Sequence, residues 1–177
     1  ALINGVDIET NRVNLLNNLN FISPYIELPK KLTVKQNLEV YGRLYDVKNL
    51  KTKIEYLSEK LRLGQIINKI TGELSSGQKN RVSLAKSIIN NPSVLLLDEP
   101  TASLDPETGD FVRKFLENYQ KEKKTSILLA SHNMTEVERL CSFVIMMNKG
   151  SIIDKGKPKE LIKKHNRKNM EEVFLKL

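Results

Sequence analysis

The strongest hydrophobic signal in the sequence is a run of four apolar residues at 94–97, bounded by breaker residues on both sides. Such a run predicts a strand that is buried on both faces of a parallel sheet. Residues 126–130 predict a second buried strand, and a helical pattern lies between the two. This alternation of strand, helix and strand predicts an α/β fold with a parallel sheet.

A mostly helical block is predicted before the first of these strands. Thr33 and Gln36 have the spacing of a capping box, which starts a helix. Two further amphipathic helices are predicted at 51–62 and 77–90. The other predicted elements are a hairpin at 1–8 with Asn4-Gly5 as its turn, strands at 20–22, 143–147 and 151–153, a helix that starts at Asp105-Pro106, a short helix around Val137, and a helical tail from Pro158.

The composition is that of a globular chain. Its 177 residues are enough for one domain with a sizeable core, and 40% are hydrophobic and 28% charged. The net charge of +8 is compatible with nucleic acid, an anionic membrane surface or a phosphate ligand, but we interpret it as a solvated, Lys-rich surface. The single cysteine, Cys141, excludes an internal disulfide and favours a reducing compartment. No apolar run reaches the roughly 18 residues of a membrane span.

Two carboxylates, Asp98 and Glu99, directly follow the first predicted strand. Open α/β sheets bind ligands at the carboxyl ends of their strands, so this position favours a metal site over a solvated turn. We predict that Asp98 holds Mg²⁺, directly or through water, and that Glu99 polarises a water for attack on a γ-phosphate. His132 ends the next strand on the same predicted edge, where it could contact the same phosphate; a structural role for this histidine stays open.

A second motif, LSSGQ at residues 74–78, runs into the predicted helix 77–90. Ser75, Ser76 and Gly77 open that helix. A helix N-terminus presents unpaired N–H groups and the positive end of the helix dipole, which suit a phosphate. An ordinary N-cap explains the serines equally well, so the motif gains weight only beside the others.

Together these motifs resemble those of the nucleotide-binding domain of ABC-type ATPases, most closely those of transporters. Residues 74–81 resemble the family's signature motif, and residues 94–99 resemble Walker B with its catalytic glutamate. Residues 103–105 resemble the D-loop, and His132 resembles the switch histidine. The resemblance covers essentially the whole chain, and the order and spacing of the motifs agree.

The resemblance implies a P-loop NTPase (RecA-like) parallel sheet within one domain at 1–177, with a helical subdomain at about 33–90. It implies ATP and Mg²⁺ as cofactors, with Glu99 and His132 as catalytic residues and Asp98 at the metal. It also implies a homodimer in which two copies face each other head to tail, so that the signature of one copy covers the ATP of the other. The residues expected to contact that nucleotide are Ser75, Ser76, Gly77, Gln78 and Asp105.

The implied function is that of an ATP-binding subunit of an ABC transporter. Such a subunit couples ATP binding and hydrolysis to transport through a separate membrane permease. It is expected on the cytoplasmic side, peripheral to the inner face of the cell membrane, and no nucleic-acid partner is expected. Two alternatives stay open: a dimerisation module that binds nucleotide without hydrolysing it, and an ABC-type ATPase that acts on nucleic acid or ribosomes.

The sequence departs from the family pattern in two places. First, it contains no GxxxxGK[ST], the loop that supplies the phosphate cradle. We therefore expect that the natural protein begins upstream of Ala1 with this loop and that the fragment alone is inactive. Second, Pro24, with Ser23 beside it, stands where the family has the Q-loop glutamine. A proline has no side-chain amide to reach Mg²⁺ or water, so coupling to the membrane partner is expected to run differently.

Overall fold

The computed structural model describes residues 2–3, 5–9, 12–102 and 104–176. The chain divides into two compact units, Ala1–Leu128 and Leu129–Leu177. The first unit contains β1 (Leu2–Ile3), β2 (Val6–Asp7), α1 (Arg12–Asn17), β3 (Leu19–Ile22), α2 (Val34–Leu44), α3 (Leu50–Lys60), α4 (Ser76–Ser87), β4 (Val94–Asp98), α5 (Pro106–Lys123) and the start of β5 (Ser126–Ala130). The second contains α6 (Met134–Leu140), β6 (Val144–Asn148), β7 (Ser151–Gly156), α7 (Pro158–Lys164) and α8 (Met170–Lys176).

Most of these elements were predicted from the pattern. The N-terminal hairpin is confirmed as the antiparallel pair of β1 and β2, although Asn4 of its predicted turn lies outside the described residues. Helix α1 was not predicted. The predicted boundary of the helical subdomain at 33–90 stays a prediction; within it lie α2, α3, α4 and two short 3₁₀ segments, Gly64–Ile66 and Thr71–Glu73.

The central sheet has the strand order β3-β4-β5. β3 and β4 pair in parallel, with Leu19 opposite Val94 and Ile22 opposite Leu97. The predicted α/β fold with a parallel sheet is thereby confirmed. Because the two strands run in register, they end side by side at the same edge of the sheet.

The prediction that the two apolar runs are buried on both faces is wrong. In β4, Leu95 and Leu97 are fully buried, whereas the other strand residues are only partly buried. In β5, Leu128 is 66% exposed. An apolar run shows that a strand can be buried on both faces, but whether it is buried depends on the layers that pack against the sheet. β5 is the last strand in the order of its sheet.

The helical segment is held by local caps and by buried polar contacts. The predicted capping box is confirmed: Gln36 N–H donates to Thr33 Oγ1 at 3.1 Å, and Thr33 N–H donates to Gln36 Oε1 at 2.9 Å. Asn37 is fully buried, and its side-chain amide donates to Thr71 Oγ1 at 2.8 Å and to the Pro29 carbonyl at 3.2 Å. These bonds fix the loop before α2 against the 3₁₀ segment that leads to α4.

Lys86 of α4 connects the helical segment to the sheet. Its side chain is 9% exposed, and its ammonium lies 4.8 Å from the Phe21 ring centre and 5.2 Å from that of Tyr41. The ammonium also donates to Asn20 Oδ1 at 3.4 Å. Burial lowers the pKa of Lys86. The cation therefore joins α4, α2 and β3 at one point.

The second unit is an antiparallel hairpin of β6 and β7 with α7 and α8 beside it. Its core contains Met146, Leu161, Met170 and Val173. Within the described ranges, no helix of either unit is both long and apolar enough to span a membrane.

Asp154 of β7 is the main ionic link of the second unit. Its side chain is 7% exposed and accepts from Lys164 Nζ at 2.7 Å; His165 Nε2 lies 2.6 Å from its other oxygen. The hydrogen bonds from Lys164 and then from His165 hold the pKa of Asp154 well below its ordinary value. A carboxyl group with a depressed pKa stabilises the fold above its unfolded-state pKa, and this contribution is lost as the pH falls towards the folded-state value.

We predict that Asp154→Asn lowers the melting temperature near pH 7 and that the difference from wild type shrinks below about pH 4, where the unfolded carboxyl group is protonated. Thermal unfolding followed by circular dichroism from about pH 7 to about pH 3 measures this. The control is Asp46→Asn, because the Asp46 side chain is 94% exposed and its pair with Lys48 is long at 3.9 Å. A difference that persists unchanged into acid would contradict the prediction.

Candidate functional site

The site is built where β3 and β4 end. Asp98 is the last residue of β4, and Ser23 follows the last residue of β3. The Ser23 hydroxyl donates to Asp98 Oδ2 at 3.1 Å, and both residues are partly buried. A carboxylate is thus held at the carboxyl edge of the parallel strands, where open α/β sheets bind ligands.

Glu99, the next residue, has a φ of 48° and so lies in the left-handed region. A side chain with a Cβ is disfavoured in this conformation by about 1–2 kcal/mol. Strained residues of this kind concentrate at functional sites, where the surrounding structure holds them in place. Seven other described non-glycine residues have a φ in the same range, so the case for a functional role of Glu99 rests on its position directly after Asp98 at the strand end as well as on its backbone conformation.

The LSSGQ motif forms the first turn of α4. Ser75 is the N-cap: its hydroxyl accepts from Gln78 N–H at 3.3 Å, and Gln78 Oε1 accepts from Ser75 N–H at 3.1 Å. Both side chains therefore make a local capping box. The first helical bond runs from Lys79 N–H to the Ser75 carbonyl, so the N–H groups of Ser76 and Gly77 precede it. These first-turn N–H groups suit an anion.

Gly77 lies beside the start of α5. A Cβ added at Gly77 would lie 3.4 Å from Thr108 Cγ2 and 3.9 Å from Asp105 Oδ2. Asp105 is the N-cap of α5, as predicted, and accepts from Thr108 N–H at 2.9 Å, a bond that lowers the pKa of Asp105. The structure thus brings two of the predicted nucleotide-binding residues together. Ser103 lies outside the described residues.

A cavity of about 240 Å³ lies between the loop after β3 and the start of α4. It is lined by residues that include Ser23, Pro24, Ser76, Asn80, Glu99 and Leu104. Asn80 was not singled out as a site residue: its amide donates to the Pro100 carbonyl at 2.7 Å and so ties α4 to the segment after Glu99. The sequence feature that could have identified Asn80 was its position, two residues after Gln78 in the signature motif.

A larger cavity of the first unit lies elsewhere. It measures about 1180 Å³ and is lined by residues of α2 and α3 and their flanking loops, among them Lys35, Glu39, Arg43, Ile54, Glu55 and Arg62. None of the predicted site residues that the structure describes lines it. Cavity size alone would therefore not have identified the carboxylate site.

His132 belongs to the second unit, so its predicted part in the site stays a prediction. Its side chain is exposed. Ser131 Oγ donates to Glu136 Oε2 at 2.8 Å, Asn133 N–H donates to Ser131 Oγ at 3.1 Å, and Glu136 is 1% exposed. The sequence analysis missed Glu136, although a glutamate on a short helix after the histidine was visible.

The donor set at Asp98 fits Mg²⁺ better than a transition metal. Among the described residues, no group of three or more His, Cys, Asp or Glu side chains could hold a metal. Mg²⁺ commonly takes one or two carboxylates and completes its shell with phosphate oxygens and waters. Asp98 beside the Ser23 hydroxyl matches this pattern. This sequence lacks the GxxxxGK[ST] loop, so a phosphate cradle would have to come from other residues.

Comparison with solved structures defines the class. A structure described as the ATP-binding subunit of an ABC transporter superposes with a TM-score of 0.86 at 20% identity, covering 98% of this chain and 74% of that chain. The fold is therefore that of the P-loop NTPase domain of ABC ATPases, as the sequence predicted.

Residues 1–102 match the family model described as ABC transporter, and the chain belongs to this family. The ABC transporter ATP-binding protein NatA of Bacillus subtilis (strain 168) is 34% identical over 147 residues, covering 82% of this chain and 59% of NatA. The Nod factor export ATP-binding protein I of Rhizobium johnstonii (strain DSM 114642 / LMG 32736 / 3841) is 38% identical over 146 residues, covering 81% of this chain and 47% of that protein. The chain thus spans about half the length of these relatives.

The backbone of Glu99 gives a test that needs no ligand. In most helix and strand positions glycine is less stable than alanine by roughly 0.5–1 kcal/mol. At Glu99 the order should reverse: we predict that Glu99→Gly is more stable than Glu99→Ala by roughly 1 kcal/mol, because only alanine keeps a Cβ in the left-handed region. Urea unfolding of the two variants measures the difference.

The matched control is Glu55, an exposed residue within α3. There the usual order should hold, with Glu55→Ala more stable than Glu55→Gly. If both positions favour alanine, Glu99 is not held in the left-handed conformation.

Proposed function

We propose that this chain belongs to an ATP-hydrolysing subunit of an ABC transporter, which couples ATP binding and hydrolysis to transport through a separate membrane permease. The observation that carries the proposal is the Asp98–Glu99 pair at the end of β4, with Asp98 bonded to Ser23 and Glu99 in the left-handed conformation. Membership of the ABC transporter family and the names of the similar proteins support it.

Asp98 and Glu99 have different tasks in this proposal. ATP with Mg²⁺, when bound, would supply a γ-phosphoryl group whose charge is neutralised by the metal. Asp98 would hold the metal, because its carboxylate is fixed at the edge of the sheet by Ser23. Glu99 accepts a proton from the attacking water, which a carboxylate one residue further along can do without binding the metal itself. A catalytic role is also proposed for His132, on the basis of its resemblance to the family's switch histidine.

The first turn of α4 serves the nucleotide of a second copy of the chain. Ser75 and Gln78 shape this turn through their capping box, and Ser76 and Gly77 present the N–H groups that precede the helical ladder. Asp105 lies beside Gly77 and contributes to the same contact. Two copies facing head to tail would each complete the site of the other, which makes a homodimer the functional state.

The proposed partner in the cell is a membrane permease, and the proposed place of the subunit is the cytoplasmic side of the membrane that contains it. The relative from Rhizobium is named as an export ATP-binding protein, which supports a transport role. The positive net charge is assigned to a solvated lysine-rich surface, so no nucleic-acid partner is proposed. Co-purification of a permease with the tagged full-length protein tests the partner.

We predict that the 177-residue chain alone binds Mg-ATP weakly. A charge-assisted hydrogen bond contributes about 1.5–3 kcal/mol, so the loss of about three phosphate donors weakens affinity by roughly 10³-fold or more. Isothermal titration calorimetry compares this chain with the full-length protein that contains it. Micromolar affinity of the chain alone would mean that the phosphate is held by residues within it.

In the full-length protein, Glu99→Gln should slow phosphate release by about 10²–10⁴-fold, because glutamine keeps the shape and a hydrogen bond but cannot accept a proton. ATP binding should survive, since metal and phosphate contacts come from other groups. The protein should therefore accumulate as an ATP-bound dimer, which size-exclusion chromatography with Mg-ATP detects.

The comparison variant is Asp98→Asn, which weakens the metal site and with it nucleotide binding, so no stable dimer should form. Normal turnover of Glu99→Gln would rule out Glu99 as the base. Slow turnover with ATP bound to a monomer would argue against the head-to-tail homodimer.

A further inference from the structure

The end of β3 presents one polar side chain to the carboxylate at the end of β4. Ile22 pairs with Leu97, so the next residue on each strand, Ser23 and Asp98, stand opposite each other. The hydroxyl of Ser23 donates to one oxygen of Asp98, Oδ2, at 3.1 Å. This bond uses a lone pair of Oδ2 and leaves the other oxygen of the carboxylate to face a cation or its water.

The position of the Ser23 hydroxyl is set by the chain around it. The Ser23 carbonyl accepts from Ile26 N–H at 3.2 Å, and Ser23 Oγ also accepts from Tyr25 N–H at 3.4 Å. Pro24 follows with its ring-fixed φ, which limits the conformations of the turn. The hydroxyl is therefore aimed at Asp98 by a closed turn on the end of a paired strand.

Pro24, in contrast, offers no polar side chain. The family resemblance leads us to expect a glutamine at this position, and Pro24 cannot supply the amide that a glutamine carries. Ser23 and Pro24 line the same cavity as Glu99, so a side chain at either position faces the predicted reaction site.

We propose that Ser23 is the positioning residue of Asp98 and orients its carboxylate for the divalent cation in place of the missing glutamine. The proposal rests on the function proposed above, in which Asp98 holds Mg²⁺. Residues that hydrogen-bond to a metal ligand fix its orientation, and their loss typically weakens metal affinity by about 10–100-fold. Ser23 also begins the loop that leads to α2.

The test is a titration of the full-length protein with Mn²⁺ in the presence of a non-hydrolysable ATP analogue, with free Mn²⁺ measured by electron paramagnetic resonance. Ser23→Ala should weaken Mn²⁺ affinity by about 10-fold, and Ser23→Thr, which keeps the hydroxyl, should restore most of it. Affinity for a fluorescent nucleotide in the presence of EDTA should be the same in all variants. A bond with a purely structural role would instead lower the melting temperature without a selective effect on the metal.

The control is Ser83→Ala, which removes a hydroxyl from the wall of the same cavity but on α4, away from the Asp98 bond. It should leave Mn²⁺ affinity unchanged. If Ser23→Ala binds Mn²⁺ like the wild type, or if it and Ser83→Ala lose affinity equally, the proposal is wrong while the proposed function stands. If the wild-type protein shows no metal-dependent nucleotide binding, the proposed function itself fails, and the role of Ser23 fails with it.

Discussion

The parallel pairing of β3 with β4 is the constraint on which the site depends. Its register places Ile22 opposite Leu97, and this alone determines that Ser23 and Asp98 leave the sheet together. A shift by one residue would turn each side chain of the shifted strand to the other face and separate the hydroxyl from the carboxylate. The register is secured by burial: Ile22, Leu95 and Leu97 lie in the core, and exposing any of them would cost about 1.5–3 kcal/mol. The positions of Ser23 and Asp98 are therefore fixed by the packing of the residues that precede them on the two strands.

Lys86 ties β3 to α4, the helix that begins in the LSSGQ motif. A desolvated cation–π contact contributes about 2 kcal/mol, and Lys86 makes two of them, with Phe21 and Tyr41. Burial opposes this, because it penalises the charged form and lowers the pKa of the lysine. The two effects act in opposite directions, and the contacts of Lys86 with Phe21 and Tyr41 specify one arrangement of α4, α2 and β3. Asn37 acts in the same way between the loop before α2 and Thr71. Rigid links of this kind let the start of α4 and the end of β3 keep a fixed spacing.

Features with a local cause were the ones that sequence predicted well. The capping box at Thr33, the N-cap at Asp105 and the strand at 94–97 depend on neighbouring residues, and the structure has all three. Burial of the strands on both faces was predicted wrongly, because it depends on which layers cover the sheet. The bond from Ser23 to Asp98 joins residues 75 apart in sequence, and Glu99 has a left-handed φ without being a residue type that favours it, so neither leaves a local pattern. The family motifs supplied the roles of Asp98 and Glu99, but not the contacts that hold them.

The expected replacement of a glutamine by the Ser23–Pro24 pair would change how a movement at the proposed metal site reaches the rest of the chain. A glutamine side chain has three rotatable bonds before its amide, so it can follow the metal while its backbone stays in place, and ordering it costs about 1.5–2 kcal/mol of rotamer freedom. A serine hydroxyl sits one bond from Cβ, and here its Cβ belongs to a residue that directly continues a paired strand. Any change at Asp98 that breaks the 3.1 Å bond must therefore be taken up by the hydroxyl rotor alone or by the loop that begins at Pro24. Because Lys86 and the paired register hold β3 itself, the loop is the softer of the two elements, and it leads into α2. Coupling between Asp98 and α2 would thus depend on a single neutral hydrogen-bond donor, the Ser23 hydroxyl, which has little freedom to move.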